Sequence, residues 1–197
     1  MFSKIMSEGS INMNEINELR SKFGLNIGCG TDIREGYINL DKAQIPGVDI
    51  IWDITQFPYP FEENRFRSII LINVLEHLPD TVSTMEEIHR ISKPGARITI
   101  RVPFWNSIEQ ATDPTHVSFF SDKSMDYLDI ETQLGNRRAY YSKARFRVKR
   151  VTVWVETGKR WVWIRNRIIC NMLFHINHYI PNIARLIEYD LECTKAV

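Results

Sequence analysis

Cysteine is scarce in this chain: Cys29, Cys170 and Cys193 stand far apart among 197 residues, and no CxxC pair occurs. That pattern excludes a disulfide framework and a zinc ribbon, and it fits a reducing compartment, the cytoplasm. Long apolar runs are also missing. The longest stretch without charge, from Ile168 to Ala184, is interrupted by Asn171, His175, Asn177, His178, Pro181 and Asn182. A membrane span needs about eighteen nearly continuous apolar residues, so none is expected here. The opening residues MFSKIMSEGSINMNE lack a basic region followed by an apolar run and a small-residue cleavage site, so they do not read as a secretory leader. Internal repeats and low-complexity segments are absent as well.

Net charge is small, +1, but unevenly placed. Between Arg137 and Arg167 eleven Lys and Arg residues face a single acid, Glu156, which leaves the remainder of the chain acidic. The length suits one domain with a sizeable core. Residues 1–22 are expected to form a helical extension, with residues 11–22 as a short helix, and residues 23–197 the domain proper. Within it a basic hairpin occupies 144–164, and a helix and final strand occupy 165–195.

Phe23 to Ile27 reads as a buried strand running into the turn Gly28-Cys29-Gly30. GYINLD (36–41) and VDIIWD (48–53) read as strands that each end in an acid. FRSIILINVLEHL (66–78) opens as an almost unbroken apolar, Ile-rich run, as expected for a parallel strand covered on both faces, and should lie at the centre of the sheet. Val82, Met85, Ile88 and Ile91 recur at helical spacing behind Asp80 or Thr81 as N-cap, with Lys93-Pro94-Gly95 as a stop. ARITIRVPF (96–104) is the next strand, and 121–131 a further helix. Val151, Val153 and Val155 alternate with polar residues, turn at Thr157-Gly158 and return through Trp161 to Ile164. Ile168, Ile169, Met172, Leu173, Ile176 and Tyr179 mark one face of a helix closed by Pro181. Ile187, Tyr189, Leu191 and Cys193 alternate as a last strand. The expected fold is α/β: a single-domain, Rossmann-like, mainly parallel sheet with an antiparallel C-terminal edge.

Ligands of open α/β sheets bind beyond the carboxyl ends of the strands. Here those ends carry Gly28 to Gly30, Asp41, Asp53 and the segment Asn73 to His77. Glycines let backbone approach a ligand closely. Asp41 can accept from both hydroxyls of a ribose, and Asp53 from an adenine amine while the Ile54 N–H donates to the ring. A dinucleotide fingerprint would need a third glycine at position 33, where this chain has Ile33.

LNIGCG (25–30), the acid-ended second strand, WDITQFPYPFEENRF (52–66), LINVLEHL (71–78) and ISKPGARITIRVP (91–103), in this order, resemble the small class I S-adenosylmethionine-dependent methyltransferases. The resemblance covers residues 23 to 130. It implies S-adenosyl-L-methionine as cofactor, with Asn26, Gly28, Cys29 and Gly30 near its methionine and ribose, and Asp41 on the ribose. Asp53 and Ile54 would take the adenine, and Asn73, Val74 and His77 the inner edge of the methyl site. Only ten residues separate Gly30 from Asp41, so the first crossover helix is expected to shrink to a turn over 31–36. Arg34 is a candidate to meet the methionine carboxylate in its place.

A sulfonium methyl is already activated, so a general base is needed only when the acceptor must lose a proton. His116, in DPTHVSFF (113–120), follows the fifth strand where an acceptor should lie, and imidazole suits proton abstraction near neutrality. Asp113 is the candidate to orient it. Equally, His116 is a loop histidine that hydrogen-bonds backbone. Glu76 and His77 are adjacent potential ligands with no third at helical spacing, so no metal site is expected. Cys29, between two turn glycines, is expected to contribute backbone and not a nucleophile.

The basic hairpin mixes Arg and Lys with Tyr, Phe and Trp. It reads either as a solvated strand face or as a surface for an anionic partner, with a phosphorylated or sugar-nucleotide small molecule favoured over a nucleic acid. The functional expectation is methyl transfer to a small-molecule or glycan-type acceptor. Two alternatives stay open: a partner protein that binds the cofactor without turnover, and a nucleic-acid binder using the hairpin.

Overall fold

In the computed structural model, the residues described are 17–195 apart from 20, 157–160, 166 and 178. Eight strands form one sheet: β1 (Gly24–Ile27), β2 (Tyr37–Asp41), β3 (Ile50–Ile51), β4 (Phe66–Ile72), β5 (Ser92–Pro103), β6 (Phe146–Glu156), β7 (Trp161–Ile164) and β8 (Leu186–Cys193). Their order is β3-β2-β1-β4-β5-β8-β6-β7. The first five pair in parallel, and β8, β6 and β7 continue the sheet through antiparallel pairs. β4 sits inside the sheet as its sequence predicts, with Ile69 and Leu71 fully buried. Helix α1 (Thr81–Ile91) follows β4, capped by the Asp80 carboxylate, which accepts from the Ser83 N–H at 2.9 Å. Shorter helices α2 (Ile108–Thr112) and α3 (Gln133–Arg137) and helix α4 (Arg167–Asn177) complete the described elements.

The structure corrects several local expectations. Lys93-Pro94-Gly95 is a bulge inside β5, because the register against β4 jumps from Ser92 to Arg97. The helix expected over 121–131 is one 3-10 turn, Ser124–Leu128. Polar side chains there capture backbone groups: Ser124 Oγ accepts from the Ser121 N–H, and Asp129 accepts from the N–H groups of Glu131 and Val148. In α4 the buried face is Cys170, Phe174 and Asn177, while Ile168 and Met172 of the expected stripe are exposed. Phe174 stacks on Phe104 at 5.6 Å, and the Asn177 side-chain oxygen Oδ1 accepts from the N–H groups of Ile183 and Ala184. A buried asparagine that satisfies two backbone donors outweighs the apolar pattern there. Of the leading helix, residues 17–19 and 21 are helical, and the rest of 11–22 except Lys22 lies outside the described residues. The turn at Thr157-Gly158 also lies outside them. No helix among the described residues is long and apolar enough to cross a membrane.

The last strand is interior, between β5 and β6, although its apolar and polar residues alternate as in a strand with one wet face. Glu188 and Asp190 are nonetheless buried, because β5 supplies a cation to each, Arg101 directly across from Glu188 and Arg97 diagonal to Asp190, while Glu192 stays partly exposed. Arg101 donates to Glu188 at 2.6 and 2.9 Å, and Arg97 to Asp190 at 2.7 and 3.1 Å. Arg101 also lies over the Trp154 ring of β6 at 4.2 Å.

One ion pair sets the wall that follows β3. Glu87 of α1 accepts from the Tyr59 N–H at 2.6 Å and from Arg90 at 2.6 and 2.8 Å, while Arg90 also donates to the carbonyls of Tyr59 and Phe61. The Tyr59 hydroxyl in turn donates to the Ile54 carbonyl at 3.0 Å. Glu87→Ala should lower the unfolding free energy by about 1.5–3 kcal/mol, the worth of hydrogen bonds to a charged group. Glu87→Gln, which keeps an acceptor for Tyr59, should lose less. Urea unfolding of the two variants checks the order.

Candidate functional site

Parallel register brings the carboxyl ends of β1, β2 and β4 to one level, since Ile27 pairs with both Leu40 and Leu71. The chain then leaves β1 through Gly28, whose φ of +62° a side chain disfavours. A Cβ at Gly28 would stand 2.5 Å from Val74 Cγ2, so the loops after β1 and β4 close up only because that position is bare. Asn73, also left-handed at φ +54°, turns the chain out of β4. Below them lies a hollow of about 430 Å3 lined by Gly28, Asp41, Asp53, Ile54, Asn73, Val74 and His77, together with Lys42, Thr55, Leu78 and Thr115.

Each acid is held by its own loop. Asp41 accepts from the Gly30 N–H at 2.8 Å and from the Ala43 N–H at 2.9 Å, one bond on each oxygen, so each oxygen keeps a further lone pair. Asp53 takes both the N–H and the hydroxyl of Thr55 on Oδ1, which holds its pKa below the usual carboxylate range. The crossover between β1 and β2 is a turn without a helix, as the short spacing requires.

Four expected residues are placed differently. Asn26 is buried beneath the turn, where its amide donates to the Asp32 carbonyl and to Asn39 Oδ1. Cys29 and Gly30 do not line the hollow: their N–H groups are engaged by the Leu40 carbonyl and by Asp41. Burial pushes the Cys29 thiol up to about 11, which makes it a poor nucleophile. Arg34 pairs with Asp32 at 2.6 Å and is not among the lining residues. His77, expected at the inner edge of the methyl site, does line the hollow, from a 3-10 turn, Leu75–His77, before α1 begins. Lys42, Thr55, Leu78 and Thr115 were not singled out from the sequence. Lys42 and Thr55 directly follow residues that were, which is the signal that would have found them.

A second cavity of about 350 Å3 adjoins the first, with Asn73 and His77 lining both. Its other walls include Glu76, Glu109, Asp113, His116, Ile108 and Leu186. His116 meets the Gln110 carbonyl through Nδ1 at 3.2 Å, and its Nε2 stands 3.8 Å from Asp113 Oδ2 and 3.9 Å from Glu76 Oε1. Bonds from Thr115 hold the Asp113 carboxyl below its ordinary range. Glu76 is wholly buried, neither carboxylate oxygen has a hydrogen-bond partner, and burial raises its pKa to about 7. The rings of His77 and His116 meet edge to face at 4.7 Å. The sequence reading excluded a metal for want of a third ligand beside Glu76 and His77. The fold supplies that third group, His116, from beyond β5.

The basic hairpin meets acids brought from elsewhere. Arg147 pairs with Glu131, and Lys149 with Glu192 at 3.4 Å, while Arg145 donates to the carbonyls of Ala139, Ser142 and Ala144. Two of the eleven cations, Arg147 and Lys149, are thereby paired with acids among the described residues.

A family model described as a methyltransferase domain matches residues 14–131. No curated protein sequence matches. Among solved structures, an S-adenosylmethionine-dependent methyltransferase from Archaeoglobus fulgidus aligns with a TM-score of 0.57 at 14% identity, covering 91% of this chain and 90% of its own. One from Thermotoga maritima aligns at 0.56 and 13% identity, over 92% and 89%. A third, from Mesorhizobium loti, aligns at 0.50 and 12%, over 89% and 92%. At such identities the likeness is one of fold.

The close approach at Gly28 can be measured. Gly28→Ala should cost more stability than Gly30→Ala, because a Cβ at Gly30 meets nothing within 4 Å among the described residues. Both share the left-handed backbone cost of about 1–2 kcal/mol. Combining Gly28→Ala with Val74→Ala should recover part of the difference in a double-mutant cycle. Equal costs for the two alanines would show that the contact with Val74 is not the constraint.

Proposed function

The chain belongs to the methyltransferase domain family and is a class I S-adenosylmethionine-dependent methyltransferase; from that premise we propose that the hollow over Gly28, Asp41 and Asp53 holds the cofactor and the cavity beside it receives the acceptor. The observation that carries this reading is the shared wall: Asn73 and His77 line both spaces, so a group in one lies within reach of a group in the other. When bound, S-adenosylmethionine supplies a methyl group on a positively charged sulfur, electrophilic without further activation.

The residues of the chain then have separate tasks. The bare backbone at Gly28 allows close approach, Asp41 uses its remaining lone pairs on the ribose hydroxyls, and Asp53 Oδ2 accepts from the adenine amine while the Ile54 N–H donates to the ring. On the acceptor side, the Gln110 carbonyl accepts from His116 Nδ1 and so leaves the lone pair on Nε2, in the second cavity. His116, with Asp113 beside it, handles the acceptor's proton. Of the acids in that cavity Glu109 is paired with Arg185, and Glu76 and Asp113 favour a neutral, hydroxyl-bearing reacting group over a phosphate at the reacting centre. A small-molecule or glycan-type acceptor with a sugar hydroxyl fits this description. Three free, buried cysteines are in keeping with a reducing, cytoplasmic setting.

Asp41→Ala should weaken S-adenosylmethionine binding by about 1.5–3 kcal/mol, close to ten- to a hundredfold, measured by calorimetry. His116→Ala should leave that affinity within about twofold and lower turnover by about 10²–10⁴, followed with labelled methyl donor and fractionated cell extract. Cofactor binding without turnover in any fraction would favour a non-catalytic binding partner, and no binding at millimolar concentration would remove the cofactor assignment.

A further inference from the structure

We propose that Glu76, His77 and His116 form a binding site for one divalent transition-metal cation, at the wall between the cofactor hollow and the acceptor cavity. One ligand atom of each residue lies within 4.8 Å of the other two, and all three residues line the second cavity. Nothing in the sequence spacing joins them, since His116 arrives from the loop after β5.

Glu76 is the independent sign. A wholly buried carboxylate with neither oxygen hydrogen-bonded is costly, and natural folds keep such groups where they meet an ion or a ligand. Its Oε1 stands 3.9 Å from His116 Nε2, too far for a hydrogen bond. Two ligands each about 2.1 Å from one ion stand at most about 4.2 Å apart, so that separation suits a shared cation. A small adjustment of side chains closes the remaining gaps.

Hydrogen bonds outside the trio prepare both imidazoles as ligands. The Thr115 hydroxyl donates its one hydrogen to Asp113 Oδ1 at 2.6 Å, so toward His77 Nδ1, 2.9 Å away, it is an acceptor. His77 therefore carries its hydrogen on Nδ1, and His116 does the same toward the Gln110 carbonyl at 3.2 Å. Both rings thus keep the Nε2 lone pair. Metal-bound histidines are held this way, one nitrogen to the ion and the other donating outward. Two imidazoles and a carboxylate suit zinc, manganese, iron, cobalt or nickel, whereas magnesium and calcium seek all-oxygen sites. Three protein ligands leave a coordination position open, as in catalytic and not structural sites. It faces the cavity that the reading above gives to the acceptor, and the role of the ion rests on that reading. There the cation would bind a hydroxyl oxygen of the acceptor and make its proton more acidic; with the ion bound His116 is a ligand in place of the base role given above, and the proton passes to Asp113 in the same cavity and on to solvent.

The test uses the full chain, stripped with chelator and dialysed, titrated with Co2+ while visible absorption is followed, and with Zn2+ and Mn2+ by calorimetry. One equivalent should bind at micromolar or lower concentration, with cobalt bands of nitrogen and oxygen ligation, and Mg2+ should bind far more weakly. His116→Ala and His77→Ala should each weaken binding more than the about 10–100-fold that loss of an outer partner costs. Glu76→Gln should do the same, with circular dichroism and thermal unfolding establishing that the variants are folded. No saturable binding up to millimolar ion, or equal binding by the wild type and the histidine variants, would overturn the proposal. S-adenosylmethionine binding is measured separately without ion: its absence beside intact metal binding would sink the functional reading and leave the cation site standing. Intact cofactor binding without metal binding would do the reverse.

Discussion

Everything at the carboxyl end of this sheet depends on the contact between Gly28 and Val74. Without a side chain at Gly28, the loop leaving β1 and the loop leaving β4 meet at van der Waals distance, and the two strand ends share one hollow. The Gly30 N–H can then reach the Asp41 carboxylate, which ties the β1 loop to the end of β2. A methyl group at position 28 would push the loops apart, and the hollow would lose its common floor.

A second constraint governs the other half of the molecule. β8 lies between two strands, and of its acids Glu188 and Asp190 are buried while Glu192 reaches solvent. Burying those acids is tolerable only because Arg101 and Arg97 of β5 are placed to receive them. The same pairing holds the end of β5 beside Leu186, and so shapes the wall of the second cavity where Pro103 and Leu186 face each other in register. Stability of the antiparallel half and position of that cavity are therefore one packing problem.

The wall between the two cavities collects polar groups around one buried acid, Glu76, with His77, Asp113 and His116 half-buried and Thr115 exposed. Glu76, His77, Asp113, Thr115 and His116 stand within a few ångströms, and their hydrogen bonds run outward, to Gln110 and among Thr115 and Asp113, and not toward the centre. Such an arrangement leaves lone pairs collected around a common point. Methyl transfer needs two partners held in line with water kept away, and a wall that both spaces share, rigid on the β4 side and polar on the loop side, meets that requirement.

The sequence by itself determined the strands, their acid-tipped ends and the glycine turn, because these follow from residues adjacent in the chain: apolar runs, alternation and turn chemistry. It also determined that the first crossover is too short for a helix, since ten residues cannot hold one and still return. Gly28, Asp41, Asp53, Ile54, Asn73, Val74 and His77, which line the hollow, were legible because each closes a strand or follows its carboxyl end within five residues, although the strand expected to end at Asp53 is only Ile50–Ile51. What only the tertiary structure decided involves residues distant in sequence. The insertion of β8 between β5 and β6 rests on ion pairs about ninety residues apart, and local alternation cannot express it. The buried face of α4 was set by Phe104 and by backbone donors at Ile183 and Ala184, not by the helix's own apolar count. The meeting of His116 with Glu76 and His77 depends on how the loop after β5 folds back over the end of β4, a contact made in space, with no trace in the spacing of the chain.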